Sequence, residues 1–291
     1  QDLPYIVVDD LIFQEGMPIS PALTNTDAVY TQINWYSDAA ATNLAGTYNV
    51  ANNSFTPNAI LAVGEHTFYV EMSDIVSNCT WLRPINITIL ENLPYVFEPI
   101  IMLQGAYDSN TNLMRNDLKN KDLLPLSQPF SPTYTGTQSF ANLTDIPSNA
   151  VDWILIEARP ESDMNIVTEQ NVAILLHDGT IWNTNGSIGV EFSDLNINEN
   201  YHFAIKTRQH LAIMSVVTDL NNITNHSIQL DLTDVANVID GNNQLSTIGN
   251  NVYALLAGDF DQNGLIDIND YNIYINQTSN INQYNASDAN L

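Results

Sequence analysis

The chain has 291 residues, 44% hydrophobic and 14% charged, too apolar for a disordered polymer and too long for one ordinary module, so two or three folded units are expected. Thirty-three acidic residues against seven basic ones give a formal net charge of −26, a field that repels phosphates and anionic lipid headgroups and excludes nucleic acid as a partner. No window reaches the roughly 18 to 20 consecutive apolar residues that cross a bilayer, so direct membrane insertion is not expected.

Cys79 is the single cysteine, so any stapling of these units falls to packing or to a metal, and an acidic chain suits calcium. A surplus of carboxylates repels itself unless divalent cations or salt screen it. Together with abundant Asn, Ser and Thr and scarce Lys, this reads as an extracellular, cell-surface setting. Nine N-x-S/T sequons occur, as an asparagine-rich sequence generates by chance.

Residues 1–93 are short alternating apolar and β-branched runs separated by turn formers, the spacing of a β-sandwich. The runs are Tyr5-Ile6-Val7-Val8, Val29 through Tyr36, Thr67 through Glu71 and Ile85 through Ile89. Ile33 and Trp35 share one strand face and Phe68 and Val70 another, giving each strand a side to bury. The stretch Ile33-Asn34-Trp35-Tyr36-Ser37-Asp38-Ala39-Ala40, then Tyr48 through Pro57, then Gly64-Glu65-His66-Thr67-Phe68-Tyr69-Val70-Glu71, and Cys79-Thr80 before Pro84-Ile85-Asn86-Ile87-Thr88-Ile89, resembles the Ig-like repeat modules of large secreted surface proteins of Bacteroidota-type gliding bacteria. That resemblance implies a cysteine near the first strand to pair with Cys79. None is there, and Cys79 reads as a small buried apolar residue.

Glu91-Asn92-Leu93-Pro94 reads as a linker, since proline cannot continue a ladder. A second unit is expected over 94–251. Leu113, Met114 and Leu118 recur at helical spacing and predict one or two turns of helix. Strands are predicted at 150–158, 173–176, 189–192, 201–208 and 212–217, with a turn at His177-Asp178-Gly179, a second antiparallel sandwich. Gly105-x-Tyr107-Asp108, Val151 through Glu157, and Lys206-x-Arg208-x-His210-Leu211-Ala212-Ile213-Met214 resemble a module of the same secreted proteins that precedes a calcium-loop segment, which implies a structural role.

The sharpest chemical signal lies in 252–291, at Asp259-Phe260-Asp261-Gln262-Asn263-Gly264-Leu265-Ile266-Asp267-Ile268-Asn269-Asp270. With Asp259 as position 1, side-chain oxygens fall at Asp259, Asp261, Asn263, Asp267 and Asp270, glycine falls at position 6, and Leu265 at position 7 offers a backbone carbonyl. Calcium takes six to eight oxygens, and its loop needs glycine at the sharp turn. Ile268, Tyr271 and Ile275 continue at helical spacing, so a loop followed by a short helix is expected. The competing reading is an Asx-rich turn that caps a helix without metal. The aspartate at position 12, where an EF-hand has glutamate, makes the segment resemble a dockerin-type loop. Dockerins carry two such loops, and Asp288-Ala289-Asn290-Leu291 fits the first four positions of a second one, cut off at the C-terminus.

Other constellations have blander readings. Lys206, Arg208 and His210 alternate, as do Glu157 and Arg159, which suits either a cationic patch or a cross-strand ion-pair ladder, and the scarcity of basic residues favours the ladder. His66 and His177 lack a second histidine at zinc-ligand spacing. Ser187 lacks the nucleophile-elbow spacing, and no His-Glu-x-x-His or phosphate-cradling loop occurs. Trp35, Trp81, Trp153 and Trp182 suit a sandwich core more than a sugar-binding face.

The expected fold class is therefore all-β: tandem β-sandwiches, Ig-like first, followed by a dockerin- or EF-hand-like calcium loop and short helix. The expected function is a non-enzymatic extracellular structural or adhesive segment of a larger surface protein or filament, with calcium bound and other copies or neighbouring domains as partners. The alternative is a docking or carbohydrate-binding accessory module of a secreted polysaccharide-degrading enzyme, with a glycan or protein ligand.

Overall fold

The computed structural model describes residues 11–16, 18–20, 32–51, 54–74, 79–249, 252–277, 279 and 283–285. The run Tyr5-Ile6-Val7-Val8, the side chain of Cys79 and the segment Asp288-Ala289-Asn290-Leu291 lie outside them. The chain forms two units, 1–93 with 196–198, and 94–195 with 199–291.

In the first unit six strands follow one another in a single hydrogen-bonded path. They are β1 (Leu11–Gln14), β2 (Gln32–Tyr36), β3 (Leu44–Asn49), β4 (Ser54–Pro57), β5 (Gly64–Asp74) and β6 (Cys79–Leu90), in the order β1-β6-β5-β2-β3-β4. Among these described strands only β1 and β6 run parallel. Both ends of the path feed the same core as its middle: Phe13 from β1 and Phe55 from β4 cluster with Trp35, Phe68, Val70, Met72, Ile85, Ile87 and Ile89. A sheet whose two edges bury side chains in one core must curl over itself, which makes this an Ig-like sandwich. The register shift between Trp35 and Tyr36 supplies one bend. Fully buried Trp35 is the centre, stacked on Phe55 at 4.4 Å between ring centroids and meeting Phe68 edge-on at 5.9 Å. Glycine is required at Gly46 by close approach, because a Cβ there would lie 2.2 Å from the Thr56 carbonyl oxygen.

The second unit opens with β7 (Tyr95–Ile100), β8 (Tyr107–Asp108), β9 (Leu113–Met114) and helix α1 (Asp117–Asn120). Leu113 and Met114 thus lie in a two-residue hairpin instead of the expected helix, which shrinks to one turn around Leu118. Asn112 adopts a left-handed φ of 57° that turns the chain, and the Met114 N–H donates to the distant His177 carbonyl, so tertiary pairing overrides the local period.

The strands β10 (Ala150–Pro160), β11 (Glu169–Leu176), β12 (Ile181–Trp182), β13 (Val190–Phe192), β14 (Asn200–Lys206), β15 (Ile213–Met214), β16 (Thr218–Asp219) and β17 (Ser227–Asp231) follow. A sheet in the order β12-β11-β10-β14-β15, with β16 also on β14, accompanies a smaller sheet β13-β7-β17. Phe97 of β7 stacks on Phe203 of β14 at 4.2 Å, and Phe192 of β13 meets the same ring edge-on at 5.5 Å, joining the two sheets through an aromatic cluster. β10 is buried along nearly its whole length, as a central strand covered on both faces must be, which explains its apolar run over 153–156. Helix α2 (Gly241–Gln244) precedes the hairpin of β18 (Leu245–Gly249) and β19 (Val252–Leu255). Leu255 is fully buried, and its N–H donates to the Met102 carbonyl, so the chain leaves the core as it enters the acidic loop. Helix α3 (Ile268–Gln277) follows that loop.

Trp35 and Trp153 are fully buried core residues, and Trp182 packs partly buried against the second core. Half-buried His66 has its Nε2 2.6 Å from the Ala62 carbonyl oxygen.

Candidate metal centre

β19 delivers the chain into the loop, and α3 carries it out. Of the four carboxylates among the expected ligands, Asp259, Asp261 and Asp270 converge, each offering an oxygen within 4.8 Å of the others. Asp259 and Asp270 are each 2% exposed, whereas Asp261 is open to solvent. The loop closes through backbone amides. Asp270 accepts N–H bonds from Phe260 at 2.7 Å, Asp261 at 3.2 Å and Asp267 at 2.8 Å, so the last position is tied back onto the first turn. Asp259 accepts from Asn263 at 3.1 Å and Gly264 at 3.2 Å. Gly264 has φ of +84°, and nothing lies within 4 Å of where a Cβ would stand. Glycine is needed there for its backbone conformation and not for room.

The remaining expected ligands are placed differently. Asn263 donates from Nδ2 to Asp261 at 3.0 Å, while its Oδ1 accepts the Leu265 N–H at 2.8 Å. Leu265 is 63% exposed. Asp267 stays outside the carboxylate cluster and accepts the Asn269 N–H at 2.7 Å as the helix begins; the equivalent loop position commonly reaches calcium through a water.

Electrostatics separate the two buried carboxyls. Burial pushes Asp259 up, the Gly264 N–H opposes this, and the charge of Asp270 adds to the rise. Burial also acts on Asp270, but the amides of Asp267, Asp261 and Phe260 outweigh it and hold this carboxyl below its usual value. Among the described residues, the hydrogen bonds to these three carboxylates come from backbone amides and Asn263, not from a cationic side chain. Three hard carboxylate donors within 4.8 Å of one another would suit a hard divalent cation.

A cavity of about 560 Å³ borders the loop, lined by Asp259, Asn263, Lys206, His210, Phe130 and Pro132 among others. Burial and then the charge of Arg208 push His210 down to about 3, so its ring is neutral at physiological pH.

Three basic residues, Arg159, Lys206 and Arg208, form ion pairs. Glu157 accepts Lys206 at 2.7 Å and Arg159 at 2.6 Å, and Arg208 meets Asp152 at 3.0 Å. His210 is buried outside the ion pairs, while for Lys206, Arg208, Glu157 and Arg159 these contacts match the ladder reading of the sequence. The Asp152–Arg208 pair and its neighbour Tyr284 were not legible there. Their only signal was an aspartate inside an otherwise apolar run at 151–156, which in a doubly covered strand demands a partner.

No protein-family model and no curated protein matches this chain. Among solved structures, the extracellular cadherin domains 1–4 of protocadherin gamma B7 are 11% identical over 74% of this chain and 49% of theirs, with a TM-score of 0.22. Human protocadherin-24 domains 1–2 are 12% identical over 79% of this chain and 100% of theirs, at 0.24. The zebrafish RET cadherin-like domains 1 to 4 are 11% identical over 77% of this chain and 48% of theirs, at 0.20. This chain spans about half the length of the first of these.

Proposed function

We propose that this chain is a non-enzymatic, extracellular structural or adhesive segment of a larger surface protein or filament, stabilised by calcium in the loop 259–270. The observation that carries this reading is the convergence of Asp259, Asp261 and Asp270 within 4.8 Å around Gly264. At an effective dielectric of about 20, two carboxylates that close repel by roughly 3 to 4 kcal/mol, less where solvent reaches Asp261. Neutral amide dipoles offset part of this, and a divalent cation offsets it fully. Asp259, Asp261 and Asp270 would hold the ion, with Asn263, the Leu265 carbonyl and Asp267, directly or through water, completing its oxygen shell. Calcium is favoured over magnesium because a loop of mixed side-chain and carbonyl oxygens tolerates six to eight ligands, whereas magnesium demands a strict octahedron and keeps its waters.

In this reading two rigid β units act as spacers, and the acidic surface resists indiscriminate adhesion through its own field. Neighbouring copies or domains would join by strand addition at a sheet edge. Calorimetric titration of the full chain with calcium tests the metal, and electron microscopy in calcium and in chelator tests assembly. One saturable site and calcium-dependent polymers support the reading, and absence of heat on titration contradicts it.

A docking or carbohydrate-binding accessory module is the second reading. It is favoured by the exposure of Leu265, Ile268 and Tyr271 on the loop and α3, an apolar surface next to the proposed ion. A calcium-dependent partner in pull-downs, or a hit on a glycan array, would select it.

A further inference from the structure

The acidic loop, through backbone carbonyls, and Tyr284 with Asn285, through the Arg208 side chain, fasten to one short stretch, residues 207–210. On the loop side, the Gly258 N–H donates to the Gln209 carbonyl at 2.8 Å, His210 bridges to Ala257, and Gln262 Nε2 reaches the Arg208 carbonyl at 3.5 Å. The Arg208 side chain gathers the tail. Its Nε donates to Asp152 Oδ2 at 3.0 Å, its Nη1 donates to the Asn285 carbonyl, and its guanidinium lies 3.8 Å from the centre of the Tyr284 ring. The Tyr284 hydroxyl donates to the second oxygen of Asp152 at 2.6 Å. Asp152 is 1% exposed and Arg208 5%.

We infer that Arg208 is a latch that couples cation binding at Asp259, Asp261 and Asp270 to the seating of Tyr284 and Asn285. The inference rests on the calcium reading above.

The physical chain is short. A buried ion pair leans on the further hydrogen bonds its members make, and here Tyr284 joins the Trp153 N–H on the second Asp152 oxygen while its ring covers the guanidinium. Losing Tyr284 opens the pair to water and loosens residues 207–210. Gly258 and Gln262, which dock on that stretch, flank Asp259, the first ligand of the loop. In the other direction, an ion that fixes Asp259 and Asp270 fixes the entry to the loop, and through Gly258 and Gln262 it steadies the stretch 207–210 on which Tyr284 and Asn285 seat. Coupling of this kind is reciprocal: whatever factor the tail contributes to ion affinity, the ion contributes to tail docking.

The test uses the full chain and its Tyr284→Phe and Tyr284→Ala variants, titrated with calcium, together with amide hydrogen exchange at residues 284 and 285 of the unaltered chain in calcium and in chelator. We expect Tyr284→Ala to weaken calcium binding by about 5- to 20-fold. Tyr284→Phe, which keeps the ring over Arg208 and loses only the hydroxyl, weakens it less. Calcium slows exchange at 284 and 285 in the unaltered chain, a readout that does not depend on either variant folding. Equal affinity in all three proteins, or exchange indifferent to calcium while the ion binds, overturns the coupling and leaves the calcium site standing. An unaltered chain that takes up no calcium overturns both.

Discussion

Glu157 is 1% exposed in the middle of β10 and faces two cations. Burial alone would raise its carboxyl, but the hydrogen bonds from Lys206 and Arg159, and then their charges, outweigh it and leave the group below its usual value. A carboxyl whose folded-state value is depressed contributes stability above its unfolded value, and that stability is lost as pH falls through the depressed one. Acid titration of Glu157→Gln should therefore show a shallower loss of stability below about pH 4.5 than the unaltered chain shows. Glu157→Ala, which strands two part-buried cations, should cost roughly 2 to 4 kcal/mol in urea unfolding at neutral pH. At the loop, Asp259→Ala and Asp270→Ala should each reduce calcium affinity at least about 30-fold, while Asp267→Ala, whose carboxylate caps α3 outside the cluster, should reduce it less. Equal losses at all three positions would argue that the ion sits deeper toward the helix. The convergence of Asp259, Asp261 and Asp270 was legible because they fall within twelve consecutive positions, where spacing alone encodes their meeting. Asp152 and Arg208 stand 56 positions apart, and no local pattern announces such a pair.

Strands with one buried face announced themselves by alternation. β5 and β6 hold the runs expected at Thr67 through Glu71 and Ile85 through Ile89, with Phe68 opposite Ile85 in the ladder. What alternation cannot supply is the partner. The parallel pairing of β17 with β7 joins residues more than a hundred positions apart, and the hairpin of β8 and β9 replaced a helical period because its carbonyl partner, His177, comes from far along the chain. α3 was readable from Ile268, Tyr271 and Ile275, although Ile268 and Tyr271 are exposed; the period was real, and the face it marks is turned outward. Gly46→Ala is predicted to destabilise the first unit by about 1 to 3 kcal/mol, since the Thr56 backbone must move to admit a methyl. Trp35→Ala should cost about 3 to 5 kcal/mol through loss of the ring on which Phe55 stacks. Denaturant unfolding followed by tryptophan and tyrosine fluorescence measures both, and a loss under about 0.5 kcal/mol at Trp35 would mean that the first core is organised around other residues.

For the molecule as a whole, 33 carboxylates against seven cationic side chains make divalent ions the natural stabiliser, because self-repulsion grows as the chain compacts. General screening and specific binding are separable: salt acts on every surface charge, whereas only a site saturates and depends on named residues. With a dissociation constant of about 10 μM, calcium at about 1 mM would add roughly 2.7 kcal/mol to the second unit, which for a unit of that size raises its melting temperature by about 5 to 10 °C. The most direct measurement is differential scanning calorimetry of the full chain and of Asp270→Ala, each in 1 mM calcium, in 1 mM magnesium and in chelator at fixed ionic strength. The account predicts a calcium-specific rise of that size in the unaltered chain, absent in Asp270→Ala. Identical melting in all three media, or an equal rise in the variant, would contradict it.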